Sequence, residues 1–523
     1  MNKYEATGTA KKGLFRIIFS RTGIILLLVL AQFGMMVSSV YYLREYLPYI
    51  YGAMIILEAV VVIYIINTKG NPAFKMTWIL CVLVFPLIGV LFYVFVQMQV
   101  GTRFMQNRLS TLRLETAPYM QQDQEIVDCL RASKSANAQL SYYLSRQLGF
   151  PTYRNTEIYY YPLGEYKFKA MLNELQKARK YIFMEYFIVE MGYMWGSILD
   201  ILKRKAGQGV EVRFMYDGMC SISMLPYNYP RQLEKWGIQC KISNPIVPFL
   251  STTQNNRDHR KICVIDGKVA FTGGVNLGDE YINQKERFGH WKDTAVMLKG
   301  DAVNSFTMMF LQMWNVTERE QDDFGRYVLP RGAAETGEGE TGGFVLPYGD
   351  SPMDREQVGE RVYLDILNQA KNYVHIMTPY LILDDEMENA LCYAAKRGID
   401  VAIIMPHIPD KKYAFMLAKT YYNQLLEAGV RICEYEPGFV HAKVFVSDDV
   451  KAVVGTVNLD YRSLYHHFEC GAVLYRNSQI AVIEQDIQDT LEKCIEMKAE
   501  DYKKLKLTDR MLGRIMRIVA PLM

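Results

Sequence analysis

Nine cysteines, an odd number, are scattered along the 523 residues, and no two stand as Cys-x-x-Cys or beside a histidine cluster. That scatter excludes a disulfide framework and offers no zinc site. Charge of one sign is also missing. The chain carries 59 Lys and Arg against 56 Asp and Glu, a formal net charge of +3, and its basic residues are spread out instead of gathered into blocks. Such a balance excludes a dedicated nucleic-acid binder and makes any attraction to anions local. Seven histidines offer many chances for one to sit near a lysine, so a lone His beside a Lys carries little meaning. The length itself predicts roughly three or four domains.

What the chain has in quantity is hydrophobic residues, half of the total, and they are unevenly placed. Residues 23–43, 47–66 and 77–96 each approach the ~20 apolar residues that cross a bilayer. We read 1–22 as a basic tail and 23–97 as a membrane anchor, and expect a multi-pass protein of the bacterial cell membrane. The first run is read as retained, because no small-residue cleavage site follows it and two more apolar runs do. Glu58, within the second run, is expected to face a neighbouring helix. Orientation signals conflict. Three crossings from a cytoplasmic N-terminus put the large remainder outside, yet Arg103, Arg108 and Arg113 and the unpaired cysteines favour a reducing compartment, unless one run is re-entrant or interfacial.

After a linker at 98–134, helix-like segments alternate with short β-rich runs, the pattern of an α/β domain. The order helix, strand, helix, Gly, strand occurs twice. Ala178–Tyr181 is answered by Ala370–Tyr373, and Gly209-Val-Glu-Val by Gly398-Ile-Asp-Val. The expectation is two copies of one α/β unit, at 135–329 and 345–504, joined by a flexible glycine-rich link at 330–344. A C-terminal amphipathic helix is expected at 505–523. There Arg510, Arg514 and Arg517 fall on one arc, with Met511, Leu512, Ile515, Met516, Ile518, Val519 and Leu522 opposite, which suits either an anionic lipid surface or closure of the domain core.

The first copy contains HRKICVIDGKVAFTGGVN (259–276) and the second HAKVFVSDDVKAVVGTVN (441–458). His259, Lys261, Asp266, Gly273 and Asn276 stand at the same offsets as His441, Lys443, Asp448, Gly455 and Asn458. A chance His-x-Lys-x4-Asp arises roughly once in a few hundred histidines, and here it occurs twice at equivalent places in a repeat. On a strand, residues i and i+2 share a face, so each copy sets imidazole beside ammonium and offers half of an anion site. Asp266 and Asp448 fall at the turn that follows, as turn chemistry, as an anchor for the lysine, or as direct catalytic groups. The Asn276 and Asn458 amides are placed to donate to the same anion. Asp293 and Glu469 begin similar apolar runs in the two copies and are candidates for fixing the histidine tautomers.

These paired motifs resemble those of the phospholipase D superfamily, defined by its His-x-Lys-x4-Asp signature. More narrowly, residues 71–95, DGKVAFTGGVNLGDEY and GTVNLDYRS resemble the bacterial cardiolipin synthase family, and the likeness runs from residue 45 onward. The first apolar run departs from the two-helix anchor usual in that family. The resemblance implies membrane helices followed by two phospholipase D-like α/β domains that meet at one active site. It also implies reversible transfer between two phosphatidylglycerol molecules, giving cardiolipin and glycerol through a phosphohistidine. His259, Lys261, Asp266, His441, Lys443 and Asp448 are then the catalytic set, Asn276 and Asn458 bind phosphate, and Asp293 and Glu469 orient the histidines. No metal or cofactor is expected, and the partners are phosphatidylglycerol and the bilayer, not nucleic acid. A phosphatidylserine synthase or a hydrolytic phospholipase D is the alternative.

Overall fold

In the computed structural model the described residues are 45–98, 100–132, 137–220, 224–226, 228–245, 256–332, 342–354, 356–500 and 507–522, with Leu30 and Gly34. They divide into two compact units, residues 1–103 with 246–254 and 518–523, and residues 104–245 with 255–517.

In the smaller unit the apolar run expected at 47–66 is one helix, Leu47–Asn67, whose 21 residues rise about 31 Å, enough for a hydrocarbon core of ~30 Å. The run expected at 77–96 is not one span. It breaks at Phe85–Pro86 into Pro72–Val84 and Pro86–Met98, of 13 residues each, because Pro86 donates no hydrogen bond and its ring excludes the preceding turn. Each piece rises only about 20 Å. The helices approach closely at Gly89, where a Cβ would lie 2.5 Å from the Cys81 carbonyl oxygen. Ile65, Trp78, Val82, Val90 and Tyr93 form this unit's core. Two segments, Pro48–Asn67 and Pro86–Tyr119, are long and apolar enough to cross a membrane. Apart from Leu30 and Gly34, the first run (23–43) lies outside the described residues.

Helices Val100–Thr116, which continues into the larger unit from residue 104, and Gln124–Ala132 stand in the stretch expected to be a linker. They are held by side chains the linker reading did not use: Arg108 donates to the Asn315 and Glu318 carbonyls, and Arg113 pairs with Asp354 at 2.7 Å. Most of the expected link at 330–344 lies outside the described residues.

The strands, in chain order, are β1 (Thr156–Tyr161), β2 (Tyr181–Tyr186), β3 (Glu211–Asp217), β4 (Ile238–Ser243), β5 (Arg257–Asp258), β6 (Lys261–Ile265), β7 (Val269–Gly273), β8 (His290–Lys292) and β9 (Ala295–Gly300). The second set is β10 (Phe344–Asp350), β11 (Tyr373–Met377), β12 (Asp400–Pro406), β13 (Arg431–Tyr435), β14 (Gly438–Val440), β15 (Val444–Ser447), β16 (Lys451–Gly455), β17 (His467–Tyr475) and β18 (Cys494–Glu496). The first sheet runs β1-β9-β7-β6-β2-β3-β4, and the second runs β10-β17-β16-β15-β11-β12-β13-β18. Leaving out β18, the second order repeats the first strand for strand. The directions repeat too: β2–β3 and β11–β12 are parallel, whereas β2–β6 and β11–β15 are antiparallel.

The two copies share strands. β5 of the first pairs with β17 of the second, and β14 of the second pairs with β8 of the first, both in parallel. Helix Val303–Asn315, with nearly every side chain buried, lies against β2 and β6 of one copy and β10 of the other. Because apolar surface is removed from water on both of its sides, neither copy closes its core alone. In the C-terminal helix Leu507–Val519 the apolar side chains face outward: Met511, Leu512 and Ile515 are 56%, 49% and 59% exposed. Arg517 instead turns onto the domain, pairing with Glu388 and lying 4.2 Å over the Tyr421 ring. Leu522, of the same apolar set, packs against the core of the smaller unit.

Candidate active site

The strand exchange positions the site. His259 lies between β5 and β6, and its backbone N–H donates to Phe468 O at 2.9 Å; His441 lies between β14 and β15, and its N–H donates to Lys292 O at 2.7 Å. Each motif histidine is thus clipped to a strand of the other copy, beside that copy's carboxylate. Nδ1 of His259 stands 2.9 and 3.0 Å from the two oxygens of Glu469, and Nδ1 of His441 stands 2.6 Å from Asp293 Oδ2. Both pairs are crossed, and among the described residues no hydrogen bond occupies either Nε2. The carboxylates are fully buried and the histidines nearly so.

The two halves differ in how the carboxylate is held. In the second copy Thr456 follows Gly455, and its hydroxyl donates to Glu469 Oε2. The equivalent residue of the first copy is Gly274, where a Cβ would lie 1.9 Å from Asp293 Oδ1 and 2.9 Å from the His441 carbonyl oxygen. Glycine is required there because the shorter aspartate must enter the space a side chain would fill. Asp293 Oδ1 accepts instead from the Thr294 N–H at 2.8 Å.

Lys261 and Lys443 are each 1% exposed, and each ammonium donates to the carbonyl of its own motif histidine. Lys443 Nζ also stands 2.9 Å from His441 Nδ1. The shorter, charge-assisted contact with Asp293 fixes the proton on Nδ1, so it is the His441 carbonyl that holds the lysine. Burial lowers Lys261 to about 8 and Lys443 to about 7, against the partial support of Asp293 and Glu469. His441 falls to about 4, through burial and the Lys443 charge, and His259 falls well below its ordinary value, mainly through burial. Burial would raise Glu469, but His259 and His467 outweigh it and hold the carboxylate ionised. Both histidines are therefore neutral with Nδ1 protonated and an Nε2 lone pair available.

Asp266 and Asp448, expected among the catalytic groups, lie at the far ends of β6 and β15 in hairpin turns, with φ of 54° and 56°. The Asp266 carboxylate accepts from the backbone N–H groups of Arg179, Lys180 and Tyr181, and Asp448 from those of Lys371, Asn372 and Tyr373, all at 2.7–3.0 Å. Of the three roles open from sequence, the geometry fits turn chemistry. Strands of five and four residues, at ~3.3 Å per residue, keep these carboxylates away from the histidines. Asn276 is committed to protein partners as well: Oδ1 accepts from Ile188 N–H at 3.0 Å and Nδ2 donates to the Tyr281 hydroxyl at 2.9 Å. The Tyr281 ring lies 5.4 Å from that of His441. Asn458 Nδ2 reaches Asp460 at 3.3 Å, while its buried Oδ1 has no partner.

Sequence reading missed Gly274, Thr456, Tyr281 and His467. His467 is 7% exposed, and its ring centroid is 5.4 Å from that of His259. The signal for it was present in His467-x-Glu469, a spacing that sets both side chains on one face of β17.

Two α/β copies that exchange strands and each lend a His-x-Lys pair to one region define a phospholipase D-like protein. The family model described as "Cardiolipin synthase, PLD-like domain" matches residues 171–314 and 363–491, and one described as "Phospholipase_D-nuclease N-terminal" matches 56–97. A Streptococcus mutans protein described only as uncharacterized is 52% identical, with 88% of this chain and 99% of that one covered. A cardiolipin synthase of Alkalihalophilus pseudofirmus is 32% identical over 95% of this chain and 99% of its own, and cardiolipin synthase 2 of Bacillus cereus is 34% identical over 87% of each. Among solved structures, phosphatidylserine synthase of Haemophilus influenzae superposes with a TM-score of 0.53 at 14% identity, covering 70% of this chain and 93% of that one, a likeness of fold alone. The chain belongs to the cardiolipin synthase family of the phospholipase D superfamily.

Proposed function

We propose that this chain is a phosphatidyltransferase that joins two phosphatidylglycerol molecules into cardiolipin and releases glycerol, and that it works from a membrane anchor of several helices. The crossed carboxylate–imidazole pairing carries the reading. It gives each histidine an Nε2 lone pair and a partner that stabilises the imidazolium. On binding the anionic substrate His441 takes up a proton from solvent at Nε2; in the proposed first step His259 Nε2 attacks the phosphodiester phosphorus, the bond to the glycerol oxygen breaks, and His441 passes that proton to the leaving oxygen. Lys261 and Lys443 balance the charge on the phosphoryl oxygens, and the incoming anion raises the proton affinity of His441 from its resting value. In the second step His441 removes the proton from the hydroxyl of another phosphatidylglycerol, which attacks the phosphohistidine and frees His259. Asp293 and Glu469 hold the tautomers, and Asn458 completes the phosphate pocket.

A diacyl lipid leaves the bilayer only at high cost, so apolar helices and an outward apolar face on the C-terminal helix suit this substrate. The test is incubation of the purified protein with phosphatidylglycerol alone in EDTA, followed by separation of the lipids. Cardiolipin and free glycerol are expected. Phosphatidic acid in place of cardiolipin would make the protein a hydrolase, and unchanged lipid would end the proposal.

A further inference from the structure

We propose that His467, His259 and Glu469 form a site for a zinc-class divalent ion, and that filling it switches the enzyme off. One donor atom from each residue lies within 4.8 Å of the others, and all three side chains are buried. Glu469 Oε1 stands 2.9 Å from His259 Nδ1 and 3.6 Å from His467 Nδ1. Ligands held at 2.0–2.1 Å in a tetrahedron are separated by about 3.3 Å, so the two Glu469 edges match within a few tenths of an ångström, and the edge between the two histidines closes by rotation of the imidazoles from within 4.8 Å. Two imidazoles and one carboxylate are a common zinc donor set.

A second observation points the same way. Among the described residues neither buried ring nitrogen of His467 makes a hydrogen bond, its Nδ1 standing 3.6 Å from Glu469 Oε1, a costly state for an imidazole unless something draws these groups together. Its other surroundings are aromatic, with the Phe187 ring at 6.4 Å. His467 also lines a small cavity together with Asp350, Asp354, Glu356 and Tyr465.

The consequence for turnover rests on the proposed role of His259. A metal on Nδ1 displaces the proton that Glu469 now accepts, and the neutral ring then carries its single proton on Nε2. The lone pair that attacks phosphorus is masked, and Glu469 no longer serves that ring. Removing the ion restores the tautomer, so the block is reversible.

The test uses the full-length protein in detergent, with zinc titrated against a chromophoric chelator, for the wild type, His467→Ala and His467→Gln. The wild type should hold one zinc equivalent more than either variant, because losing a ligand weakens a site by at least about a hundredfold. Cardiolipin formation by the wild type should fall in step with that equivalent and return with EDTA. Whatever rate His467→Ala retains in EDTA should be insensitive to zinc at the same concentration; if it does not fold, His467→Gln, which keeps most of the volume, carries the comparison. Equal zinc binding by wild type and variants, or equal zinc sensitivity, overturns the proposal. A wild type that binds the extra equivalent yet makes no cardiolipin in EDTA supports the site and counts only against the proposed reaction.

Discussion

Replacing Glu469 by glutamine tests the crossed pairing with little change of shape. The carboxylate accepts from His259 Nδ1 at 2.9 and 3.0 Å and from the Thr456 hydroxyl, and it is fully buried. A hydrogen bond to a charged group contributes about 1.5–3 kcal/mol, and it strengthens as His259 becomes a phosphohistidine cation. At ~1.4 kcal/mol per tenfold, that loss alone slows turnover roughly 10- to 150-fold. The glutamine amide adds a further cost, because its NH2 can donate to Nδ1 and push the ring proton onto Nε2, leaving only a minor tautomer to attack. The expected result is a fall of about a hundredfold or more in cardiolipin formation at saturating phosphatidylglycerol, with the thermal transition of the folded protein retained. A rate within about threefold of wild type would refute the reasoning, since no transition-state role for the carboxylate would then remain.

Gly274→Ala should abolish turnover, because the new Cβ needs the space of Asp293 Oδ1 and the His441 carbonyl; the readout is cardiolipin formation by a protein whose circular dichroism is unchanged. Asp266→Ala should leave the rate of the folded protein close to wild type while lowering its stability on the order of 2 kcal/mol, since three backbone N–H groups lose a charged acceptor that is partly screened by solvent; denaturant melts beside activity assays separate the two effects. Lys443 and Lys261 titrate at about 7 and about 8, below the 10.5 of an unfolded lysine. Between those values the unfolded chain binds more protons, so these lysines contribute stability that grows as pH rises from about 7 towards 10.5. Binding of sulfate, whose charge is constant over this range, requires the protonated forms and should weaken as pH rises through 7–8, as measured by sulfate-dependent shifts of the thermal transition.

The sequence by itself determined the repeat and singled out the residues proposed to carry the chemistry. The His-x-Lys pairs, the two α/β copies and the resemblance to the cardiolipin synthases all rest on local periodicity and spacing, which survive in a linear reading. Asp293 and Glu469 were legible too, because each begins the same kind of strand in its own copy. Only the tertiary structure decided which carboxylate serves which histidine. The β5–β17 and β8–β14 ladders cross the repeat, so His259 finds Glu469 and His441 finds Asp293. It also placed Asp266 and Asp448 in hairpin turns, split the apolar run of 77–96 at Pro86, and left Met511, Leu512 and Ile515 of the C-terminal helix exposed. Hydrogen bonds and burial between residues far apart in the chain act over a few ångströms in space, and periodicity carries no record of them. His467 shows both sides: the His-x-Glu spacing was readable, but its approach to His259 exists only because the second copy's strand is paired with the first.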